Sequence, residues 1–155
     1  MENWMNTVIA RCAACGTQNR IPEKKQHLGP RCGKCGGMMD MRQSAVPVQL
    51  GDEDLQDFLA ACRLPVMVDF YSPGCGPCQM LAPVIDNIAR KFAGEVVIAK
   101  LDTSRHGRSA SHYGIRGVPT LIFFRDNKIV DQVVGAPAES LIIAKIKNLS
   151  GGNPS

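Results

Sequence analysis

The stretch VDFYSPGCGPC at residues 68–78 is the part of the sequence that most clearly indicates the fold. It continues a nearly unbroken apolar run that begins at Pro65 and is typical of a central, buried β-strand. The residues after it repeat apolar side chains at the spacing of an amphipathic helix, namely Leu81, Val84, Ile85, Ile88, Ala89 and Phe92. The two cysteines therefore lie where a buried strand gives way to a helix, and the charged Asp69 lies inside that strand.

From Val46 onward the hydrophobic pattern alternates between strand and helix in the order β-α-β-α-β-α-β-β-α. Strands are predicted at residues 46–50, 65–71, 95–101, 118–124 and 128–134. The short connection at residues 125–127 predicts that the last two strands form an antiparallel hairpin. Asp52 is predicted to cap the first helix, since aspartate oxygens accept the free N–H groups there. The pattern as a whole predicts an α/β fold.

The first 42 residues differ in composition from the rest of the chain. They are rich in glycine, cysteine and basic residues, contain few long apolar side chains, and are followed by a short linker, Gln43-Ser44-Ala45. A segment of this kind is too small to fold on a hydrophobic core alone and needs a cross-link or a metal. We therefore expect a small N-terminal domain at residues 1–42 and a second domain at residues 46–150.

Four cysteines in the first segment form two Cys-x-x-Cys pairs, Cys12 with Cys15 and Cys32 with Cys35. Two intervening residues allow both sulfurs of a pair to reach one ion, and two such pairs complete a tetrahedral thiolate site. We predict one structural zinc ion, because four protein ligands leave no open position for a substrate. Iron in the same geometry, two disulfides and free thiols are the alternatives. His27, between the pairs, is expected to be a loop residue and not a ligand.

A third pair, Cys75 and Cys78, has no fourth pair with which to complete a metal site. The start of a helix lowers a cysteine's pKa, because free N–H groups and the positive end of the helix dipole favour the thiolate. Cys75 is therefore predicted to attack a partner's disulfide, and Cys78, one turn later, to resolve the mixed disulfide. The seventh cysteine, Cys62, is expected to fill the core on its helix.

Composition and charge exclude several classes of protein. The 155 residues are 45% hydrophobic and 21% charged, which excludes collagen-like and extensively disordered chains. No apolar stretch is long enough to cross a bilayer. Residues 1–45 hold seven basic and three acidic residues, but four thiolates with one zinc ion would reduce their net charge to about +2. This basic excess is too small to favour a nucleic-acid partner.

Residues 1–12 lack the basic region followed by an apolar block that is typical of a secretory signal, so a cytoplasmic location is expected.

Several spaced motifs resemble thioredoxins. They are VDFYSPGCGPC at residues 68–78, Ala82-Pro83, Gly117-Val-Pro-Thr120 and Val134-Gly-Ala136. With the two cysteine pairs in front, the chain resembles the zinc-containing bacterial thioredoxin 2 group, over residues 46–150 for the thioredoxin part and 8–40 for the extension. The resemblance implies a thioredoxin fold, in which a central mixed β-sheet is flanked by helices, with a small zinc-ribbon-like domain at the N-terminus.

The resemblance also implies which residues contact a partner protein. Pro119, after Val118, corresponds to a cis-proline whose loop faces the dithiol and helps to hold the partner's extended chain; a cis X-Pro bond makes a tight turn without an N–H. Gly135 corresponds to the small residue that lines the apolar docking groove. Gly76 and Pro77, between the cysteines, belong to the same surface, and this dipeptide is the one found in reducing thioredoxins.

Two charged residues are implied to assist the dithiol. Asp69 corresponds to a buried carboxylate that takes the proton from Cys78, a role that fits the raised pKa of a buried carboxylate. Lys100 corresponds to the lysine near that carboxylate.

The residue before the first active cysteine departs from the family pattern. Thioredoxins usually have a tryptophan there, whereas this chain has Gly74, preceded by Pro73. A second familiar tryptophan, two residues after the buried aspartate, is Tyr71, and the only tryptophan is Trp4. Loss of a large aromatic side chain removes apolar contact area for partners and for a reductase. Gly74 is therefore expected to affect the range of partners more than the chemistry of the cysteines.

These features predict a cytoplasmic protein-disulfide reductase that acts as a monomer. The resemblance implies protein disulfides as substrates and a flavin-dependent thioredoxin reductase, itself supplied by NADPH, as the source of electrons. It implies a redox-active disulfide and no flavin or nicotinamide bound by this chain. The alternative is a zinc-dependent redox sensor or binding module that serves one dedicated protein partner.

Overall fold

The computed structural model describes residues 6–150, in which seven strands and four helices are formed. The strands are β1 (Thr7–Arg11), β2 (Gln18–Pro22), β3 (Val48–Leu50), β4 (Val66–Tyr71), β5 (Val97–Asp102), β6 (Thr120–Arg125) and β7 (Lys128–Val134). The helices are α1 (Leu55–Ala61), α2 (Gly76–Lys91), α3 (Gly107–His112) and α4 (Glu139–Ser150). The start of the predicted 1–42 domain, including Trp4, lies outside the described residues. Within residues 6–150, no helix is both long enough and apolar enough to cross a membrane.

Five of the strands form one mixed sheet in the order β3-β5-β4-β6-β7. β4 lies at its centre, parallel to β5 and antiparallel to β6. β6 and β7 form the predicted antiparallel hairpin, whose connection places Asp126 and Asn127 at positive φ. This arrangement is a central mixed sheet flanked by helices, so the predicted fold class is confirmed.

Each face of the sheet is covered by its own hydrophobic cluster. On one face, α2 and α4 contribute Ile85, Ile88 and Ile142, which pack with Met67 of the central strand. On the other face, α1 packs its Leu55 and Leu59 against the alternate residues of β3, β4 and β5. Successive residues of a strand point to opposite faces, so a central strand with both faces covered must be apolar throughout. Asp69 is therefore the only charged residue that β4 carries.

The predicted cap of α1 is wrong. Asp52 does not cap that helix; its Oδ1 accepts the backbone N–H of Ser109 at 2.7 Å, and so it serves the first turn of α3. Asp54 occupies the position before α1, but its Oδ1 turns back to accept the N–H of Gly51 at 2.7 Å. The partner of Asp52 is distant in sequence, so local spacing could not identify it. Cys62, expected to fill the core on its helix, instead follows the end of α1 and is half-buried, although it packs against the core.

The segment before β3 folds as a small ribbon, defined here as residues 6–45. Strands β1 and β2 pair in antiparallel fashion, and Val8, Ala10, Ile21 and Met39 form a small cluster with the buried Cys12 and Cys32. The ribbon packs against Ala93, just past the end of α2. Since α2 has 16 residues, this contact lies about 24 Å along the helix from the active cysteines.

Polar side chains of the ribbon bind the backbone at the outer edge of β3. The amide group of Gln26 donates to the carbonyl of Val46 at 2.8 Å and accepts its N–H at 3.0 Å. The carboxylate of Glu23 accepts the N–H of Gln49 at 2.7 Å. Backbone groups that an edge strand would otherwise leave free are thereby paired by the ribbon.

Candidate active site and metal centre

The residue at the start of α2 is Cys75, which takes the extended conformation of a helix cap. Its sulfur accepts the backbone N–H of Cys78 at 3.1 Å, one of the free N–H groups that every helix leaves at its start. The two cysteines form a disulfide, and their Cα atoms are 5.2 Å apart. Cys75 is half-buried, whereas Cys78 is buried. The geometry leaves Cys75 as the more accessible sulfur, supported by the helix N-terminus as the sequence predicts.

The loop before β6 faces this disulfide. The peptide bond between Val118 and Pro119 is cis, and the carbonyl oxygen of Val118 lies 3.6 Å from the sulfur of Cys75. Gly135, with φ of +101°, donates its N–H to the carbonyl of Pro119 at 2.8 Å. The structure therefore brings all three predicted partner-binding residues of this region, Val118, Pro119 and Gly135, to one side of the active cysteines.

The rim of the site is open at Gly74. Gly74, Gly76 and Pro77 are exposed, and a Cβ built on Gly74 would meet no atom within 4 Å. Two exposed apolar side chains lie nearby in the chain, Met80 of α2 at 80% exposure and Val134 at 70%. Val134 begins the motif Val134-Gly-Ala136, whereas Met80 was not predicted as a site residue. Met80 lies two residues after Cys78, and this closeness in sequence is the signal that could have identified it.

Asp69 is almost completely buried in the central strand, with only 1% of its surface exposed. Its Oδ1 has no hydrogen-bond partner. Burial disfavours the charged form and raises the pKa of this carboxyl to about 6, although the positive charge of Lys100 opposes the shift. A carboxyl with such a pKa exchanges its proton near neutral pH.

Lys100 lies directly beside Asp69 in the sheet, since the two residues are partners in the parallel pairing of β4 and β5. Its Nζ lies 4.5 Å from the centre of the Tyr71 ring, within the range of a cation–π contact. The backbone pairing thus places Lys100 next to Asp69 in the sheet.

The four cysteines of the ribbon converge on one point. All four sulfurs lie within 4.8 Å of one another, and the closest distances are 3.6 Å, between Cys12 and Cys35 and between Cys15 and Cys32. A tetrahedral zinc ion with bonds of about 2.3 Å places its sulfurs about 3.8 Å apart. The cluster therefore fits zinc in size, in ligand number and in the chemistry of its donors. His27 lies apart from it, with its ring packed edge-on against Phe58 at 5.4 Å.

The two halves of this cluster are built alike. In each, the N–H of the first cysteine binds a carbonyl five residues later, and the glycine after the second cysteine has positive φ, as the turn requires. The arginine before each pair, Arg11 or Arg31, donates to the carbonyl of that glycine, Gly16 or Gly36. Neither arginine was predicted as part of the site, although the motif Arg-Cys-x-x-Cys-Gly recurs at a spacing of 20 residues.

Asn19 joins the two halves and was also missed. Its side-chain oxygen accepts the N–H of Gly33 at 2.8 Å, and its Nδ2 lies 3.5 Å from the sulfur of Cys32. Backbone N–H groups at Cys35 and Lys34, together with Asn19, lower the pKa of Cys32 to about 6. Donors of this kind favour the thiolate, which is the form that binds a metal.

Comparisons with known proteins agree with this geometry. Residues 46–148 match the family described as Thioredoxin, and residues 11–37 match the family described as Thioredoxin 2, N-terminal. The chain is 41% identical to a thioredoxin of Synechocystis sp. over 104 residues, which cover 67% of this chain and 96% of that protein. It is 33% identical to thioredoxin C-3 of Corynebacterium nephridii over 129 residues, which cover 83% and 86%, respectively.

A solved structure shows the same fold. A mutant thioredoxin from Halobacterium salinarum NRC-1 superimposes with a TM-score of 0.64 at 35% sequence identity, covering 70% of this chain and 95% of that one. The predicted resemblance is thus confirmed. The chain belongs to the thioredoxin family of protein-disulfide oxidoreductases, in the type that carries an N-terminal zinc ribbon.

Proposed function

We propose that this protein is a cytoplasmic reductase of protein disulfides, with Cys75 as nucleophile and Cys78 as resolving cysteine. The observation that carries the proposal is the position of Cys75 at the start of α2, opposite the cis-proline loop. There the N–H of Cys78 supports its sulfur at 3.1 Å, and the carbonyl of Val118 lies on its other side. A helix start lowers a thiol's pKa and so supplies the thiolate that attacks.

The reaction transfers two electrons in two exchanges. The Cys75 thiolate attacks one sulfur of the client's disulfide, forming a mixed disulfide and releasing the client's other sulfur as a thiolate. Cys78, as a thiolate, then attacks the sulfur of Cys75, and the client's second sulfur leaves. The client gains two electrons and takes up two protons, and the Cys75–Cys78 disulfide found in the structure is the oxidised product.

Asp69 acts as the proton acceptor for Cys78. The Cys78 thiol must lose its proton before it can attack, and its burial removes solvent as a convenient base. A carboxyl whose pKa is about 6 is mostly ionised at neutral pH yet basic enough to accept a proton. Lys100, its neighbour in the sheet, stabilises the ionised form that this role requires.

The client binds as an extended chain across the rim of the site. Val118 and Pro119 present the backbone that faces Cys75, and Gly135 leaves room beside them. Gly76 and Pro77 form the exposed surface between the cysteines. Gly74 supplies no aromatic contact, so binding depends more on the exposed apolar side chains of Met80 and Val134.

The ribbon holds one structural zinc ion through the thiolates of Cys12, Cys15, Cys32 and Cys35. Zinc would supply the folding free energy that a segment with so small an apolar cluster lacks. The first folding unit is residues 1–42, and the reductase unit is residues 46–150.

Electrons reach the disulfide from a flavin-dependent thioredoxin reductase supplied by NADPH. The chain itself binds neither flavin nor nicotinamide in this scheme, and it works as a monomer, because one copy contains both cysteines, the cis-proline loop and the buried carboxylate.

Turnover of an insulin disulfide with NADPH and a thioredoxin reductase tests the proposal. Cys75→Ser is expected to abolish turnover, whereas Cys62→Ser is the matched control and is expected to leave it unchanged. Cys62 is half-buried at the far end of α1, and burial raises its pKa, so its thiol is a poor nucleophile. Turnover that survives Cys75→Ser, or that is absent from the unaltered protein, would contradict the proposal and favour a sensor or binding module.

A further inference from the structure

A polar row crosses the sheet on the face covered by α2. Gln49 of β3, Lys100 of β5 and Asp69 of β4 are direct neighbours in the pairing of the three strands. The residues on either side of them in each strand pack into the cluster on the opposite face, so these three side chains share the α2 face. The row leads from the edge of the sheet to the buried carboxylate.

Tyr71 spans this row. It lies two residues after Asp69 in β4 and therefore on the same face. Its hydroxyl oxygen accepts a hydrogen bond from Nε2 of Gln49 at 3.1 Å, although β5 separates their two strands. The Tyr71 ring therefore extends across β5, and the ammonium of Lys100 lies 4.5 Å from its centre.

This arrangement restricts where the Lys100 ammonium can go. A lysine side chain has four rotatable bonds and would otherwise sample many positions in solvent. The electron-rich face of an aromatic ring attracts a cation, and the attraction strengthens when both groups are partly buried, as they are here. The Gln49 hydrogen bond fixes the far end of the ring, and Glu23 of the ribbon fixes Gln49 through its N–H at 2.7 Å.

We propose that Tyr71 and Gln49 are positioning residues, which hold the Lys100 ammonium over the Tyr71 ring on the face of the sheet that carries Asp69, and thereby set how readily that carboxyl ionises. The proposal rests on the role given above to Asp69, but it concerns residues that neither touch the client nor exchange its sulfurs. The other charged groups around the row are Glu23 of the ribbon, which accepts the N–H of Gln49, Asp102 at the end of β5 and Arg105 beyond it. Cys78 of α2 is held in the disulfide and does not titrate in the oxidised chain. Asp102 already accepts two hydrogen bonds from Ser104.

The test follows the Asp69 carboxyl by carbon NMR during pH titration of the oxidised full chain, with and without Lys100→Met. Tyr71→Leu is expected to raise the pKa of Asp69 by about half a unit or more when Lys100 is present, because the ammonium is no longer held on the Asp69 face of the sheet. In the Lys100→Met background, the same substitution is expected to lose that effect. Equal shifts in both backgrounds, or a fall in the pKa as water enters, would overturn the proposal, since Tyr71 would then act on the carboxyl without Lys100.

Milder variants keep the proposal testable if Tyr71→Leu fails to fold. Tyr71→Phe and Gln49→Leu each break the same hydrogen bond and are expected to raise the pKa of Asp69 by the same amount, with no further rise when combined. Gln56→Leu is the matched control. Gln56 lies on α1, and its Nε2 donates a similar hydrogen bond to the hydroxyl of Tyr113 at 2.7 Å. If Gln49→Leu moves Asp69 no more than this control does, Gln49 and Tyr71 do not position Lys100.

The NMR result is independent of turnover. Loss of insulin reduction in the Cys75→Ser variant concerns the proposed function, whereas the titrations concern only the positioning of Lys100. A second readout joins the two: the pH profile of insulin reduction in Tyr71→Phe is expected to shift upward together with the pKa of Asp69. A pKa shift without a change in the profile would contradict the role of Asp69 as proton acceptor and leave the positioning intact.

Discussion

Replacing Asp69 with asparagine is expected to remove a cost in stability that appears only as pH rises. The carboxyl has a pKa of about 6 in the folded chain and an ordinary value of 3.8 when unfolded. Between these values the folded state binds more protons than the unfolded state, so the free energy of unfolding decreases as pH rises through that window. The difference between the two pKa values corresponds to about 3 kcal/mol, all of it present at pH 8.

Urea unfolding of the oxidised protein at pH 4 and pH 8 measures this effect. Asparagine has nearly the same shape but no charge. About 0.5 kcal/mol of the cost is already present at pH 4, so the Asp69→Asn variant is expected to gain about 2.5 kcal/mol relative to the unaltered protein between pH 4 and pH 8. Comparing the two pH values cancels any constant cost of burying the amide, whose polar atoms have few partners there.

Asp126→Asn serves as the control for this experiment. Asp126 lies in the exposed β6–β7 turn at positive φ, a conformation that asparagine tolerates well. The substitution removes a carboxylate of the same kind without touching the core, and its effect is expected to change little between the two pH values. If Asp69→Asn shows the same pH dependence as the unaltered protein, the carboxyl ionises normally and the argument for its raised pKa is wrong.

Three further substitutions test other parts of the structure. Cys15→Ser is expected to lower bound zinc from about one equivalent to a small fraction of that, measured by metal analysis of the purified protein, because one of four ligands is lost. Gly74→Trp is expected to leave the midpoint of urea unfolding nearly unchanged, since no atom lies within 4 Å of its Cβ position, and to lower the KM for a protein disulfide by adding apolar contact. Gln26→Leu is expected to cost about 1–3 kcal/mol of stability in urea unfolding, because it leaves the N–H and carbonyl of Val46 without partners.

The fold of residues 46–150 could be predicted largely because its strands and helices have different hydrophobic periods. The strand at residues 128–134 was predicted with the correct bounds, and the other four strands of the large sheet began and ended within two residues of their observed limits. The error at Asp52 has a physical reason: its carboxylate binds Ser109, 57 residues away, and no local rule gives such a partner. Hydrogen bonds between distant segments depend on the tertiary fold.

The ribbon was predicted less completely. Cysteine spacing was sufficient to bring four sulfurs together, because a Cys-x-x-Cys turn sets its own geometry. The strands β1 and β2 were not predicted, since the small side chain of Ala10 and the charged Arg20 give only a weak alternating pattern. The contacts of Asn19 depend on how the two halves of the ribbon meet, which the sequence alone does not specify.

The way in which Glu23 and Gln26 bind the outer strand has a consequence for solubility. An edge strand with unpaired backbone groups can pair with a strand of another chain, and repeated pairing of this kind leads to fibrils. Here the side chains of the ribbon substitute for a missing sixth strand, bonding the main chain of Gln49 and Val46. Removal of the metal would therefore do more than unfold the ribbon: it would expose the backbone edge of β3, at which chains can self-assemble. This self-assembly is measurable as light scattering after a chelator is added.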